Sequence, residues 1–287
     1  MSWKILRILT TNACNYKCPY CHNEGQDKGK NIIELSFDDF KLIIEAALKS
    51  GIDEIRFSGG EPLTNLTTLD MIKWIDCNTD VELGVATNGS LLTDSIIEIL
   101  KETRILLTIH LPSVNPTTYF RLTGGDIKKL FYNISLLDKY KIKYSFNYVY
   151  HEETYKELYN VIDYTINKRK QLKVLPFISP NYTGNVERIK NDIEQILSHY
   201  EYKFEDDYIS GLTWWYINNG GVIKLVNSPC YNYDIEKCKH YSEIRLLPSL
   251  DFQRCIFDKN VHVNKNCVYE QLNELFNTFI NCPLVNH

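Results

Sequence analysis

Three cysteines stand close together near the start of the chain, in the stretch "TTNACNYKCPYCHNEG" at residues 10–25, with the spacing C-x3-C-x2-C (Cys14, Cys18 and Cys21). Three thiolates on one loop can each hold an iron of a [4Fe–4S] cluster and leave the fourth iron without a protein ligand. A ferredoxin closes its cluster with four cysteines, and a structural zinc site likewise asks for four ligands. Zinc would have to recruit His22, whose place immediately after Cys21 suits the same tetrahedron poorly. The spacing therefore favours a cluster with one open iron over a zinc site or a closed electron-transfer centre.

The elements that must position these thiols alternate along the chain. Short β-branched or apolar runs predict strands from Lys4 to Leu9, Glu54 to Phe57, Glu82 to Ala86, Ile105 to Leu111, Lys143 to Tyr150 and Leu172 to Ile178. Helical patterns lie between them, clearest in "SFDDFKLIIEAALKSG". There Ser36 and Asp39 read as a capping box, Phe40, Ile43, Ile44, Ala47 and Leu48 form one apolar stripe, and Gly51 ends the helix. Roughly six strand–helix units in series imply an α/β fold with a parallel sheet, either doubly wound or a partial or complete barrel. Both arrangements gather ligands at the carboxyl ends of the strands, where the cysteine loop falls. After about residue 205 the pattern changes to a hairpin around Asn219 and Gly220 and a second near Pro248 to Asp251. This places a boundary between residues 1–205 and 206–287.

Composition narrows the function. The chain has 287 residues, 32 Lys and Arg against 36 Asp and Glu, and a net charge of −4. That balance offers no electrostatic footprint for nucleic acid or an anionic membrane, so a small or peptidic substrate is expected. The stretch from Met1 to Thr11 is broken by Arg7 and reads as neither a signal peptide nor a membrane span, which predicts a cytoplasmic protein. Nine cysteines, an odd number, point to metal or redox chemistry rather than a disulfide framework.

Further motifs follow the cysteines in order. "FSGGEPL" (57–63) comes after the second strand, "ATNGSLL" (86–92) after the third, and "HLPS" (110–113) after the fourth. With Tyr20 preceding the last cysteine of the loop, these motifs over residues 1–205 resemble the radical S-adenosylmethionine (SAM) superfamily. The resemblance implies that Cys14, Cys18 and Cys21 hold the cluster and that SAM chelates its open iron. It further implies that Gly59, Gly60 and Glu61 lie against the methionine amino group, that Thr87 and Asn88 contact the ribose and carboxylate, and that Ser113 is another contact. Tyr20 is expected near the adenine. Two glycines permit close backbone approach, and a carboxylate suits an ammonium. Reductive cleavage of SAM would then give a 5′-deoxyadenosyl radical that takes hydrogen from a substrate, fed by a reductant such as flavodoxin or ferredoxin.

Within the superfamily the pattern is most similar to the molybdenum-cofactor GTP cyclase and its relatives with SPASM or twitch extensions, which hold auxiliary clusters. The fold implied is a partial (β/α)6 TIM-like barrel with a small C-terminal β-hairpin region. Cys230, Cys238, Cys255, Cys267 and Cys282 are candidate ligands of a second [4Fe–4S] cluster there. Leu250 stands five residues before Cys255, where the twitch pattern has glycine. Arg7 and Arg245 match basic positions that the cyclase uses around its triphosphate, but Glu243 replaces a second arginine, and a carboxylate there would repel phosphate. The chain ends "CPLVNH", without the cyclase's Gly-Gly. A different substrate is therefore expected: a small molecule or short peptide, taken in a biosynthetic reaction. A peptide-modifying maturase working with a separate leader-recognition protein is the alternative, since thirteen residues precede Cys14. A non-catalytic iron–sulfur or zinc protein is the rival from another class. Trp214, Trp215 and Tyr216 offer rings for stacking or for a hairpin core. His110 is a candidate for substrate contact or proton donation, and Arg245 for substrate contact.

Overall fold

The computed structural model describes residues 3–21, 31–179, 182–183, 185–207, 211–228, 230, 234, 236, 238, 242–257 and 259–278. Six parallel strands run in chain order: β1 (Ile5–Leu9), β2 (Glu54–Ser58), β3 (Glu82–Thr87), β4 (Leu106–His110), β5 (Tyr144–Tyr150) and β6 (Gln171–Pro176). One set of alternating side chains, including Leu6, Ile8, Ile55, Phe57, Leu107, Ile109, Phe146 and Leu172, is fully buried under the helices. The other set, including Arg7, Arg56, Asn147 and Lys173, is left for the barrel interior.

The crossovers carry helices α1 (Phe37–Lys49), α2 (Thr67–Asn78), α3 (Asp94–Leu100), α4 (Pro116–Thr123), α5 (Ile127–Lys139) and α6 (Leu158–Asn167). The α1 helix follows its sequence. Ser36 Oγ accepts from the Asp39 N–H at 3.1 Å, the stripe Phe40, Ile43, Ile44 and Ala47 is buried, and Gly51 turns the chain away at φ 72°. The strand predicted to reach Ile178 stops at Pro176, which lacks the N–H a ladder needs. Ile178 opens a separate two-residue pair, β7 (Ile178–Ser179) with β8 (Tyr182–Thr183), before α7 (Val186–Leu197).

Residue 205 lies within an edge strand, β9 (Tyr202–Asp207), which pairs with β10 (Leu212–Ile217). The first expected hairpin is β10 with β11 (Val222–Val226), turning at Gly220 with φ 98°. The second is β12 (Glu243–Leu247) with β13 (Asp251–Gln253), followed by β14 (Val261–His262) and α8 (Val268–Asn277). Leu250 turns this hairpin at φ 60°, the left-handed conformation that glycine adopts without a Cβ penalty. Both hairpins join the main sheet: β12 pairs parallel with β1, and β11 pairs parallel with β6. The six strands thus form a partial barrel whose two edges are extended rather than closed on each other. Among the described residues no helix is long and apolar enough to cross a membrane.

Candidate active site

The loop carrying Cys14, Cys18 and Cys21 leaves the carboxyl end of β1 and lies directly on the loop after β2. The Gly60 N–H donates to Thr11 O at 2.8 Å, and the Glu61 N–H donates to Ala13 O at 2.7 Å. The glycines are what allow this pairing. A Cβ at Gly60 would sit 1.9 Å from Ala13 O, and one at Gly59, where φ is 135°, would sit 2.5 Å from Thr11 O. "GGE" is therefore a backbone cradle for the cysteine loop.

Glu61 joins this cradle to the loop after β3. Its buried carboxylate accepts from Thr87 Oγ1 at 2.7 Å, from the Asn88 N–H at 2.7 Å and from the Leu63 N–H at 3.2 Å. Burial pushes the Glu61 carboxyl up to about 7 against these donors. Three donors do not exhaust the lone pairs of a carboxylate, so a further cationic donor can be accepted. Asn88 reaches across to the cysteine loop, where its Nδ2 donates to Asn15 Oδ1 at 2.8 Å. Asn15 Nδ2 in turn donates to Ser90 Oγ at 2.8 Å. Asn15 and Ser90 escaped the sequence reading. Their one signal there was adjacency, Asn15 to Cys14 and Ser90 to the "TNG" run.

The three cysteines are half-buried on one loop. Cys14 Sγ accepts from the Tyr16 N–H at 3.4 Å, and the Cys21 N–H donates to Cys18 O at 3.2 Å. Burial, with the neighbouring Cys21 and Cys14 charges, pushes the Cys18 thiol up to about 12, and burial pushes Cys14 up to about 11. The loop's far side is pinned by the Lys17 N–H on Thr123 O and by Tyr16, whose hydroxyl lies where a Gly125 Cβ would go. Among the described residues no group of three or more His, Cys, Asp or Glu side chains is gathered tightly enough for a metal ion. The thiols are strung along one loop, an arrangement suited to a cluster that offers each its own iron.

Other expected residues take different places. Tyr20 is buried, with its hydroxyl 3.0 Å from His110 Nε2 at the end of β4 and its ring 6.0 Å from that of His151. Burial holds His110 down at about 4, so its imidazole is neutral near pH 7. Ser113 Oγ donates to Glu157 Oε2 at 2.6 Å and accepts from the Asn115 N–H at 2.9 Å, so it serves the start of α4. Trp215 is fully buried, Trp214 lies beside Lys224, and Tyr216 is exposed. In the C-terminal region Cys230, Cys238, Cys255 and Cys267 are half-buried. Cys255 Sγ accepts from the Phe257 N–H, and Cys267 precedes α8. Cys282, like His22, lies outside the described residues.

Comparison with known proteins agrees with this geometry. The chain is 29% identical over 245 residues to a probable GTP 3′,8-cyclase of Methanococcus vannielii, covering 84% of this chain and 80% of that one. It is 25% identical over 241 residues to the radical SAM cyclopropyl synthase TigE of Paramaledivibacter caminithermalis, covering 77% of this chain and 51% of TigE. The fold matches Streptococcus suis SuiB bound to S-adenosylmethionine with a TM-score of 0.72 at 16% identity, over 96% of this chain and 66% of SuiB. SuiB has also been solved with its precursor peptide SuiA. The chain thus spans about half of TigE and about two thirds of SuiB. The sequence profile of the radical SAM superfamily matches residues 8–165, more than half of the chain and the loops after β1, β2, β3 and β4, and the chain belongs to that superfamily of enzymes, which use a [4Fe–4S] cluster and SAM.

Proposed function

We propose that this chain is a radical SAM enzyme whose cluster is held by Cys14, Cys18 and Cys21 and whose SAM lies along the loops after β2 and β3. The observation that carries the reading is the backbone docking of the cysteine loop on Gly60 and Glu61, with Asn88 tied to the same loop. The residues fit the cofactors. Thiols held at about 11 and 12 by burial and mutual repulsion gain from the positive irons of a cluster, and loading should release protons. The Glu61 carboxylate suits an ammonium. When bound, cluster and SAM supply a 5′-deoxyadenosyl radical that abstracts hydrogen from the substrate. The chain's own share is placement: Gly59 and Gly60 hold the cysteine loop down, Glu61, Thr87 and Asn88 orient SAM, and Tyr20 closes the loop against a neutral His110.

The substrate proposed is a small molecule or short peptide. The names of TigE and of SuiB with its precursor peptide SuiA support the peptide side. The balanced charge supports a protein that binds neither nucleic acid nor an anionic membrane. A cytoplasmic setting and a flavodoxin- or ferredoxin-like donor belong to the same proposal. Residues 1–205 would carry the radical chemistry, and 206–287 an auxiliary cluster on a subset of Cys230, Cys238, Cys255, Cys267 and Cys282. Electron paramagnetic resonance tests the site. The reduced, anaerobically reconstituted protein should show a [4Fe–4S] signal that changes when SAM is added, and Cys18→Ala should abolish that SAM-dependent change. A signal indifferent to SAM in the wild type contradicts the assignment.

A further inference from the structure

The barrel below the reactive loops holds an uneven set of charges. Arg7 on β1 donates from Nε at 2.8 Å and Nη2 at 3.0 Å to the two carboxylate oxygens of Glu243 on β12. Arg56 Nη1 on β2 lies 3.5 Å from one of these oxygens, and Arg245 Nε lies 3.8 Å from the other. Strand register produces this: Arg7 stands beside Arg245 on one side and Arg56 on the other, and Glu243 comes two residues before Arg245. The Glu243 side chain is 2% exposed. Three guanidinium groups converging on one point form an anion site, the geometry arginine offers to carboxylate and phosphate alike. Here the chain's own carboxylate fills it.

Arg56 is also held by Glu54, through Nη2 at 2.8 Å. On the far wall Lys173 on β6 stands beside Lys224 on β11, whose Nζ lies over the Trp214 ring at 5.2 Å. Burial, with Arg56, Lys224 and Arg7 nearby, holds Lys173 down at about 7, which lowers the positive charge it adds to the barrel.

We propose that Glu243 is a resident counter-anion that sets substrate class: it keeps the Arg7, Arg56 and Arg245 set closed to phosphate, so the barrel takes a substrate whose inserted end carries no phosphate group. A phosphate entering this set would meet a buried carboxylate with which it shares a sign and would have to displace it from two guanidinium hydrogen bonds. The inference rests on the proposed radical SAM reading only in placing the substrate inside the barrel.

Calorimetric titration of the reconstituted protein with inorganic tripolyphosphate tests it, with no SAM present. Wild type should show no binding up to about 1 mM, while Glu243→Gln should bind at least about ten-fold more tightly, a gain removed by adding Arg7→Met. Should Glu243→Gln be insoluble alone, tripolyphosphate present during refolding should restore it by supplying the missing anion. Wild-type binding below about 1 mM overturns the proposal, as does a folded variant without the gain or an unfolded one that the anion does not restore. Formation of 5′-deoxyadenosine by the same wild-type preparation reads the radical SAM assignment separately.

Discussion

Gly60 shows how little room the site leaves. With 1.9 Å between an added Cβ and Ala13 O, Gly60→Ala must push the cysteine loop off its cradle. The substitution should cost about 1–3 kcal/mol in denaturant unfolding and lower the iron bound per chain, because overpacking displaces backbone that cannot yield. Asn15 acts more gently. It links Ser90 and Asn88 to the cluster loop, so Asn15→Ala should leave iron content unchanged and weaken SAM binding about five- to ten-fold in equilibrium titration, the worth of about one hydrogen bond. Equal SAM affinity in that variant contradicts a positioning role. The motifs were legible in the sequence because "CNYKCPYC" and "GGEP" are local strings. The contact of Gly60 with Ala13 was not, because it joins two loops brought together only by the β1–β2 pairing.

At the scale of elements, the seam between β1 and β12 is sealed by Arg7 and Glu243. Burial pushes the Glu243 carboxyl up, but Arg7, Arg245 and Arg56 outweigh it and hold the group near 2, below the 4.5 of an unfolded chain. The stabilisation is complete above about 4.5 and is lost as pH falls through about 2, a term on the order of 3 kcal/mol. Urea melts should therefore show the stability of wild type falling toward that of Glu243→Gln across this window. A constant difference between the two would show that the seam does not depend on the carboxylate's charge. The N-cap of α1 offers a smaller test: Ser36→Ala should cost about 1 kcal/mol in the same melts. Six strands and α1 were readable from periodicity. The exposed edge strand β9 was not, since in "YKFEDD" the alternation of Tyr202 and Phe204 stops at Asp206. The stripe of Val268, Leu272, Leu275 and Phe276 does mark α8, although the neighbouring cysteines drew attention instead. No local pattern announces that β11 pairs with β6 or β12 with β1, because those pairings close long loops.

For the whole molecule, the C-terminal strands flank the barrel on both edges, so the C-terminal quarter extends the same sheet that carries the loops after β1, β2 and β3. If it holds its own cluster, a chain with Cys14, Cys18 and Cys21 all changed to Ala should retain about four irons after reconstitution, and none if it does not. In this region the two hairpins were legible from their turn residues, whereas the cysteines were legible only as a set of thiols, because spacing without a closing partner does not fix a ligand set. The most direct measurement follows one product. Anaerobically reconstituted protein, reduced with dithionite and given SAM, should form 5′-deoxyadenosine as read by mass spectrometry, and Cys18→Ala should form none. Wild-type protein that binds zinc stoichiometrically and leaves SAM intact would contradict the assignment of this loop to radical chemistry.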